Sequence, residues 1–546
     1  MPLLDRIERV GNALPDPITL FAAGALLVMG LSQLAVSLDW QVEKTVARDV
    51  REVVLGADGA PLVDAATGQA LTRAVVDPVT GLVRRESARE PVRAKSLLSS
   101  DGLYWALSSL VENFKSFPPL AIVLVGMLGI GLADRTGFLG AALKGLLLAI
   151  PARALTPAVV FVGIQSHMAL DAGYVVLPPI AAALYAAVGR SPLAGVAAVF
   201  AGVAAGFGAN LLVTSLDAIL AGFSEASARI LDPHYAVAAT ANLHFMIAST
   251  FLLTAVGWAV TALWVEPRLA AKPAEEGGPS QTEARGDAAL GADERRGLGV
   301  ALAAGGAALL LLLAAAWWPS GPLHGLAPDG RFPRWVAAII PLVFVGFFVP
   351  GLAYGIATRR IQNDRDVARL LGETMAGMGP YVVMAFFAAQ FIEYFRWSGL
   401  GEMLAISGGQ FLVAAELPRA LLLLGFIFVV CIADLFIGSM SAKYAFMAPV
   451  FVPMFMQVGI SPELTQAAYR IGDSFTNVVT PLNPYVVVIL VVLQRWAPRA
   501  GLGTLLALML PYALSYAVAW SGLLVGWVEL GLPLGPGGPL GYTPGG

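Results

Sequence analysis

The sequence predicts an all-α polytopic membrane protein. Three observations carry that prediction. First, 57% of the 546 residues are hydrophobic and only 13% are charged, whereas soluble domains carry about 25% charged residues. Second, the mean hydropathy of +0.74 is parcelled into separate runs of about 17–25 residues, each long enough to cross a bilayer core. Third, two of the apolar stretches are interrupted by Gly, Pro and polar residues in the same pattern. The net charge of -3 suggests no nucleic-acid partner. The single cysteine, Cys431, allows no intramolecular disulfide. The four histidines, His167, His234, His244 and His324, lack metal-ligand spacing. Asp5, Arg6, Glu8 and Arg9 precede a run too long for a signal-peptide core, so no cleavable signal is expected.

Taken in order, the N-terminal segment and first transmembrane helix occupy residues 1–38, with the span near Ile18–Leu38. Residues 39–116 are polar and turn-rich and read as an extracytoplasmic loop, ending in an amphipathic lead-in at Gly102–Phe114. The chain is then almost continuously apolar over 117–265, the first repeat region, with a hairpin at about 163–192. Residues 266–296 are rich in Pro, Glu, Gly and Arg and read as a flexible cytoplasmic linker. The second half, 297–530, holds a hairpin at about 439–481 and spans near 297–318, 335–358, 375–395, 419–438, 484–493 and 504–527. A Gly/Pro-rich tail, 531–546, closes the chain in extended form. Basic residues set the orientation. Arg6 and Arg9, the linker cations, and Arg359, Arg360, Arg365 and Arg369 all suit the cytoplasm, which leaves the first long loop outside.

The repeat is the most informative pattern. Asp171–Pro192 and Ser441–Pro462 align without gaps at an offset of 270, pairing Tyr174 with Tyr444, Pro179 with Pro449, and the Gly-x-Ser-Pro of 189–192 with that of 459–462. Further on, with gaps, the string from Asn210 echoes that from Asn477. Paired, interrupted apolar segments are a mark of secondary transporters. Their freed backbone groups are tolerated where they line a cavity or meet other protein.

Charges inside apolar runs cost at least ~2.5 kcal/mol and mark function by default. Asp171 opens the first repeat segment. Asp434 lies late in an apolar span, and Lys443 lies in Ser439-Met-Ser-Ala-Lys-Tyr. Arg470, Asp473 and Asn477 form R-x-x-D-x-x-x-N, which a helix would place on one face. Asp, Asn and hydroxyl oxygens are hard ligands suited to an alkali cation or a proton. Bland readings stand beside these: Arg470–Asp473 as a structural ion pair, Lys443 snorkelling to an interface, Asp217 and Glu393 at membrane edges, and His167 as a packing residue. The aromatic series Phe386, Phe387, Phe391, Phe395 and Trp397 reads as packing and interface anchoring.

At these residues the chain resembles the AbgT family of p-aminobenzoyl-glutamate transporters. The matching strings are Asp171-Ala-Gly-Tyr-Val-Val-Leu, Gly208–Asp217, Val265-Glu-Pro-Arg-Leu269, Phe386–Phe391, Ser439–Pro453 and Tyr469–Ser474 with Asn477. The resemblance covers about residues 5–530. It implies a homodimer whose subunits each have about nine transmembrane helices and two re-entrant hairpins, working as an elevator. It also implies cation-coupled transport of p-aminobenzoyl-glutamate-like aromatic anions, or export of sulfonamide-type antimetabolites. Carried over residue by residue, it makes Asp171 the acid of the first hairpin, Ser441 the serine of the second, and Arg470, Asp473 and Asn477 the Arg, Asp and Asn of the signature, with Pro462 and Pro481 shaping the broken helix; Arg470 would balance a substrate carboxylate or tune Asp473. Two departures are visible. Tyr444 stands where the family pattern has Trp, and Asp434 where it commonly has Asn.

The expected protein is therefore an elevator-type carrier of the bacterial cytoplasmic membrane, not an enzyme. Its partners are a small-molecule substrate, the lipid bilayer and a second copy of itself. It needs no cofactor beyond Na+ or H+ as coupling ion. Substrate contacts are expected from Ser166, Asp171, Ser441, Tyr444, Pro462, Arg470 and Pro481, and cation coupling from Asp171, Asp434, Asp473 and Asn477, with Na+ at the last three. An ion-coupled carrier of another small organic anion is the alternative. A membrane-embedded enzyme is a weaker rival, since H-E-x-x-H, G-x-S-x-G and Cys/His pairs are absent from the sequence, and so is a channel, since discontinuous repeats with buried acids suit alternating access better.

Overall fold

The computed structural model describes residues 17–49, 51–54, 61, 72–74, 85–149, 151–169, 172–279, 290–328, 330, 332–434, 437–480, 483 and 485–543. Within them, six helices are long and apolar enough to cross a membrane: Ile18–Ser37, Pro118–Arg135, Leu243–Ala270, Ala292–Trp317, Ile339–Ala357 and Leu502–Glu529. Asp364–Gly377 and Gly379–Trp397 form a seventh if counted as one span bent by 44°. The last helix of the apolar stretch 117–265 runs five residues beyond it, to Ala270, through a π-helical turn over Thr261–Val265.

The loop after the first span is not featureless. Strands β1 (Gln41–Asp49) and β2 (Arg85–Arg93) pair antiparallel from Gln41 opposite Arg93 to Asp49 opposite Arg85. Its dense charges hide the period-2 alternation that would announce strands in an apolar sequence. The ribbon is anchored where Val42 packs on Met403 and Ile406. The amphipathic lead-in is two short helices, Ser100–Ser108 and Leu110–Lys115. Trp105 stacks on Trp397 at 4.9 Å, and Phe391 stacks on Phe395 and Phe446, so the aromatic series does pack.

Small residues set the close helix crossings, as they must where lipid removes the hydrophobic driving force. Helix Pro118–Arg135 meets Ile339–Ala357 with a Cβ on Gly129 placed only 2.8 Å from Phe344 Cα, and one on Gly351 only 2.7 Å from Ala133 Cα. No larger side chain fits either place.

The core of the molecule is the repeated unit. In the first copy, α1 (Leu155–Gln165) and a 3-10 turn (Ser166–Ala169) lead back into α2 (Ala172–Ala187). Then α3 (Pro192–Phe200) continues as a π-helical segment to Ala205 and breaks before α4 (Ser215–Ala228). In the second copy, α5 (Arg419–Asp434) and α6 (Met440–Gln457) form the same helix–turn–helix. There α7 (Pro462–Ser474) breaks before α8 (Val486–Trp496). The segments expected as hairpins are offset from these units: 163–192 holds the end of α1, the second arm α2 and the turn beyond it, and 439–481 holds the second arm α6, the turn and all of α7. Gly189 and Gly459 turn the chain at φ +73° and +75°, conformations that need glycine. The next residue but one caps the following helix. Ser191 Oγ accepts from the Ala194 amide, and Ser461 Oγ accepts from the Leu464 amide. Gly202 and Gly472, also 270 positions apart, let the broken helices touch the first arms. A Cβ on Gly202 would sit 3.0 Å from Gly163 Cα, and one on Gly472 2.6 Å from the Ile427 carbonyl.

The two copies point in opposite directions. Ser191 Oγ also donates to the Gly277 carbonyl, and Arg190 pairs with Glu266 at 2.6 Å, at the C-terminal end of the span Leu243–Ala270. Ser461 Oγ donates instead to the Pro539 carbonyl of the tail, whose Leu534 carbonyl accepts from the Phe245 amide at the span's N-terminal end. At about 1.5 Å rise per residue, that span separates the two turns by some ~40 Å. The repeats are thus inverted, a point on which sequence alone is silent.

Candidate functional site

Two buried charge clusters lie where the broken helices and the hairpin tips meet. The first is built on Asp434, the last residue of α5, Lys443 in the first turn of α6, and Asp473 at the end of α7. Lys443 Nζ donates to Asp434 Oδ1 and, at 2.7 Å, to Asp473 Oδ1. The lysine and Asp434 have no exposed surface, and Asp473 has 1%. Lys443 therefore does not snorkel, because both of its counter-charges lie inside. Tyr469 Oη donates to the Met440 carbonyl at 2.6 Å and to Asp473 Oδ1 at 3.3 Å. Thr480 Oγ1 donates to the Asp434 carbonyl at 3.4 Å. The second oxygens of both carboxylates, Asp434 Oδ2 and Asp473 Oδ2, are buried without a partner.

The second cluster couples the two repeats. Arg470 on α7 donates to Asp217 Oδ1 at 2.6 Å and to the Gly208 carbonyl at 3.2 Å. Asp217 is held in turn as the capping acid of α4, accepting from the Thr214 amide and hydroxyl at 2.7 Å each and from Asn210 Nδ2 at 2.9 Å. The Gly208 amide donates to Ser474 Oγ at 3.0 Å. The break of one repeat is thus bonded to the broken helix of the other.

These contacts correct the expected single face. Arg470 and Asp473 do not pair with each other; each turns to a different neighbour. Asp217 is no edge residue but the buried counter-ion of Arg470, with 4% of its surface exposed. Glu393, by contrast, pairs with Arg396 at 2.5 Å, and its side chain is 23% exposed. Asn477 lies past the end of α7, in the turn, and its Nδ2 reaches the Ala204 carbonyl at 3.5 Å. Tyr444 is no open platform. It is fully buried, its hydroxyl is 2.7 Å from Ser224 Oγ, and its ring lies 4.3 Å from that of Tyr469. Ser166 is buried and donates to the Gly163 carbonyl at 2.7 Å, shaping the first tip. Ser441 stays partly open beside Ser439, their hydroxyls 3.5 Å apart. Pro462 starts α7, where its missing N–H costs nothing. Asp171 and Pro481 lie outside the described residues.

Sequence reasoning named Arg470 and read His167 as packing, but did not foresee that buried polar atoms gather around the first break. Gln165 Nε2, both ring nitrogens of His167, Asn210 Oδ1 and Arg470 Nε are buried without a partner. Gln165 Oε1 accepts from the Leu211 amide at 3.3 Å, and the His167 ring packs on Phe207 at 5.4 Å. Buried polar groups are seldom left unbonded, so donors and acceptors gathered at a helix break suit a polar ligand. The sequence signals that point here are the gap-tolerant match of Asn210 to Asn477 and the string Gly208–Asp217. Among the described residues no group of three His, Cys, Asp or Glu side chains is placed to hold a metal ion. A cation at the first cluster would need Asp434 and Asp473 supplemented by neutral oxygens such as those of the threonines. A separate cavity of about 790 Å3 lies by the tail, bordered by Asp232, His234, Tyr235, Glu463 and Pro539.

Inverted repeats, helices broken in mid-course and charges held at the breaks define a membrane transporter rather than an enzyme. The chain belongs to the AbgT putative transporter family, whose model matches residues 2–542. It is 35% identical over 532 residues to the p-aminobenzoyl-glutamate transport protein of Escherichia coli strain K12, covering 97% of this chain and 95% of that one. Two solved structures share the fold. The YdaH transporter of Alcanivorax borkumensis, described as having an unusual topology, is 38% identical with a TM-score of 0.79, over 96% of this chain and 100% of that one. MtrF of Neisseria gonorrhoeae, described as illuminating a class of antimetabolite efflux pumps, is 35% identical with a TM-score of 0.84, over 99% of each chain.

Proposed function

We propose that this protein is a cation-coupled carrier of p-aminobenzoyl-glutamate-like aromatic anions, and of sulfonamide-type antimetabolites, in a bacterial cytoplasmic membrane. The observation that carries the reading is the pairing of two buried clusters across an inverted repeat, one with a net negative charge and one with unpartnered hydrogen-bonding groups. The acid-rich cluster of Asp434 and Asp473, extended by Asn477, takes the coupling ion, Na+ or H+. The cluster at the first break takes the substrate. Arg470 answers a carboxylate, while Gln165, His167 and Asn210 answer an amide. Ser441 closes the site from the first turn of α6, Ser166, Tyr444 and Pro462 hold its shape, and Asp171 and Pro481 join them as substrate contacts, as the family resemblance implies. The curated relative's substrate and the efflux role described for MtrF support this substrate class. The remaining parts of the reading are a homodimer and an elevator-like movement of the repeats, for which nine spans and two hairpins per subunit are the frame.

The test is uptake of labelled p-aminobenzoyl-glutamate into proteoliposomes under imposed Na+ or H+ gradients, with wild type beside Asp473→Ala. Saturable uptake driven by one gradient and lost in the variant supports the assignment. Equal rates in both proteins sink the ion site. Flux that never saturates points to a channel instead.

A further inference from the structure

We infer that Lys443 is a tethered cation of the Asp434–Asp473 pair, and that the coupling ion loads by competing with its ammonium group. This inference rests on the proposed cation coupling and adds to it the identity of the competitor.

A lysine that merely neutralised a buried acid would leave a balanced, satisfied pair, since unmatched buried charge is strongly unfavourable. That is not what surrounds Lys443. One ammonium faces two carboxylates, which leaves one negative charge in excess. Each carboxylate spends one oxygen on the lysine and keeps the other buried and unbonded. The excess charge and the free oxygens are what a second, exchangeable cation needs, and hard oxygen ligands suit an alkali ion. The second cluster does not share this excess, because Arg470 faces Asp217 alone and that carboxylate is fully bonded.

Position gives the competition a mechanical consequence. Asp434 ends the first arm of the hairpin, Lys443 lies in the first turn of the second arm, and Asp473 lies one residue before α7 ends. The ammonium therefore ties both sides of the hairpin tip to the helix break. A cation that takes over the carboxylates releases the lysine from at least one of them and loosens the tip. At the places of Lys443 and Asp473 the first repeat has Gly173 and Val203, which carry no charge.

The test uses the full chain, purified and reconstituted, with Na+ as the probe. Two readouts give a half-saturating Na+ concentration: the rise in thermal unfolding midpoint, and uptake of p-aminobenzoyl-glutamate. Removing the competitor in Lys443→Met is expected to lower that concentration by about tenfold or more, whereas Lys443→Arg keeps the charge and should respond as wild type does. Asp434→Asn cancels the excess negative charge and should raise it by about tenfold, and Asp434→Asn combined with Lys443→Met should bring it back near wild type. If Lys443→Met does not fold, the comparison of Asp434→Asn with the charge-balanced double variant decides the matter. A Na+ response in wild type that is unchanged in Lys443→Met, or a double variant no better than Asp434→Asn, overturns the inference alone. No Na+ response in any protein, wild type included, overturns the alkali-cation reading and the inference with it.

Discussion

In the first repeat, Gly189, Ser191 and Gly202 turn the chain, cap a helix and admit a close crossing; Gly459, Ser461 and Gly472 do the same 270 positions later. At the same offset, Phe200 gives way to Arg470, Val203 to Asp473, and Gly173 to Lys443. The repeats share a backbone and divide the chemistry. The second supplies the ionised side chains of its own cluster and the arginine of the other. The first supplies the acid that receives that arginine, and neutral amide and imidazole groups. An inverted pair needs the shared part to pack as two units of the same hand, related by a pseudo-two-fold axis in the membrane plane. The unshared part is where ion and substrate can be told apart.

The comparison breaks most severely at the charges. Asp473→Asn removes one of two acids from Lys443 without changing side-chain shape. Uptake is expected to fall by ~100-fold or more, while the protein stays monodisperse, since the remaining Asp434–Lys443 pair is balanced. Val203→Asn, the matching place in the first repeat, should impair folding rather than the ion response, because it buries an amide with no partner. Ion-coupled uptake measured beside size-exclusion profiles separates the two outcomes. A folded, fully active Asp473→Asn would erase the proposed division of labour.

Next in size is the link between the repeats. Arg470→Met leaves Asp217 as an uncompensated buried charge, and removing one partner of a buried pair costs about 3–5 kcal/mol. The unfolding midpoint in detergent should fall strongly. Adding Asp217→Asn should recover most of that loss, since the amide can still accept from Asn210 and the Thr214 amide. Substrate binding should not return with stability, because the arginine is gone. Recovery of both would reduce Arg470 to a structural role.

How much of this was legible beforehand differs between the same two regions. The apolar runs, the repeat and the acids Asp434 and Asp473 could all be read from residue type and spacing. Arg470 could be placed on a face of a helix, but not matched to its partner. Asp217 is 253 positions away, and local periodicity carries no information about which distant loop supplies a counter-charge. The same holds for Lys443, whose snorkelling is excluded only once two acids from different elements are seen around it. Asn477 was misplaced because the helical spacing was carried past Ser474, where the helix ends. The strands of the loop after the first span were missed because charged residues there mask any alternation. The orphaned amide of Gln165 has no signature at all, being an ordinary polar residue until the surrounding backbone leaves it unbonded, whereas Asn210 is marked by the repeat and by the family string but not by any sign of what it faces.

A smaller effect sharpens the shared half of the comparison. Gly202→Val and Gly472→Val each push a branched side chain into a helix backbone across a tight crossing. Overpacking of this kind costs about 1–3 kcal/mol. The two variants should lower the unfolding midpoint by similar amounts. A large loss at one site and none at the other would mean that the glycines are equivalent in register but not in structure.

The smallest effects test whether the two turns are held alike. Ser191 and Ser461 each accept a helix-capping bond and donate onward, one to Gly277 in the linker, the other to Pro539 in the tail. Losing such a cap costs about 1 kcal/mol, so Ser191→Ala and Ser461→Ala should start from the same small loss. The onward bonds then distinguish them. The linker segment is continuous with a membrane span and is also tied by Arg190–Glu266. The tail is held to its turn by Ser461, by Arg419 donating to the Leu540 carbonyl, and by the Tyr542 amide bonded to Gly459 at 3.0 Å. Ser461→Ala should therefore raise hydrogen exchange across 535–543, whereas Ser191→Ala leaves exchange in the 266–279 segment nearly unchanged. Equal exchange in both would show that the tail is fastened as firmly as the linker, and that the two ends of the inverted pair are mechanically the same.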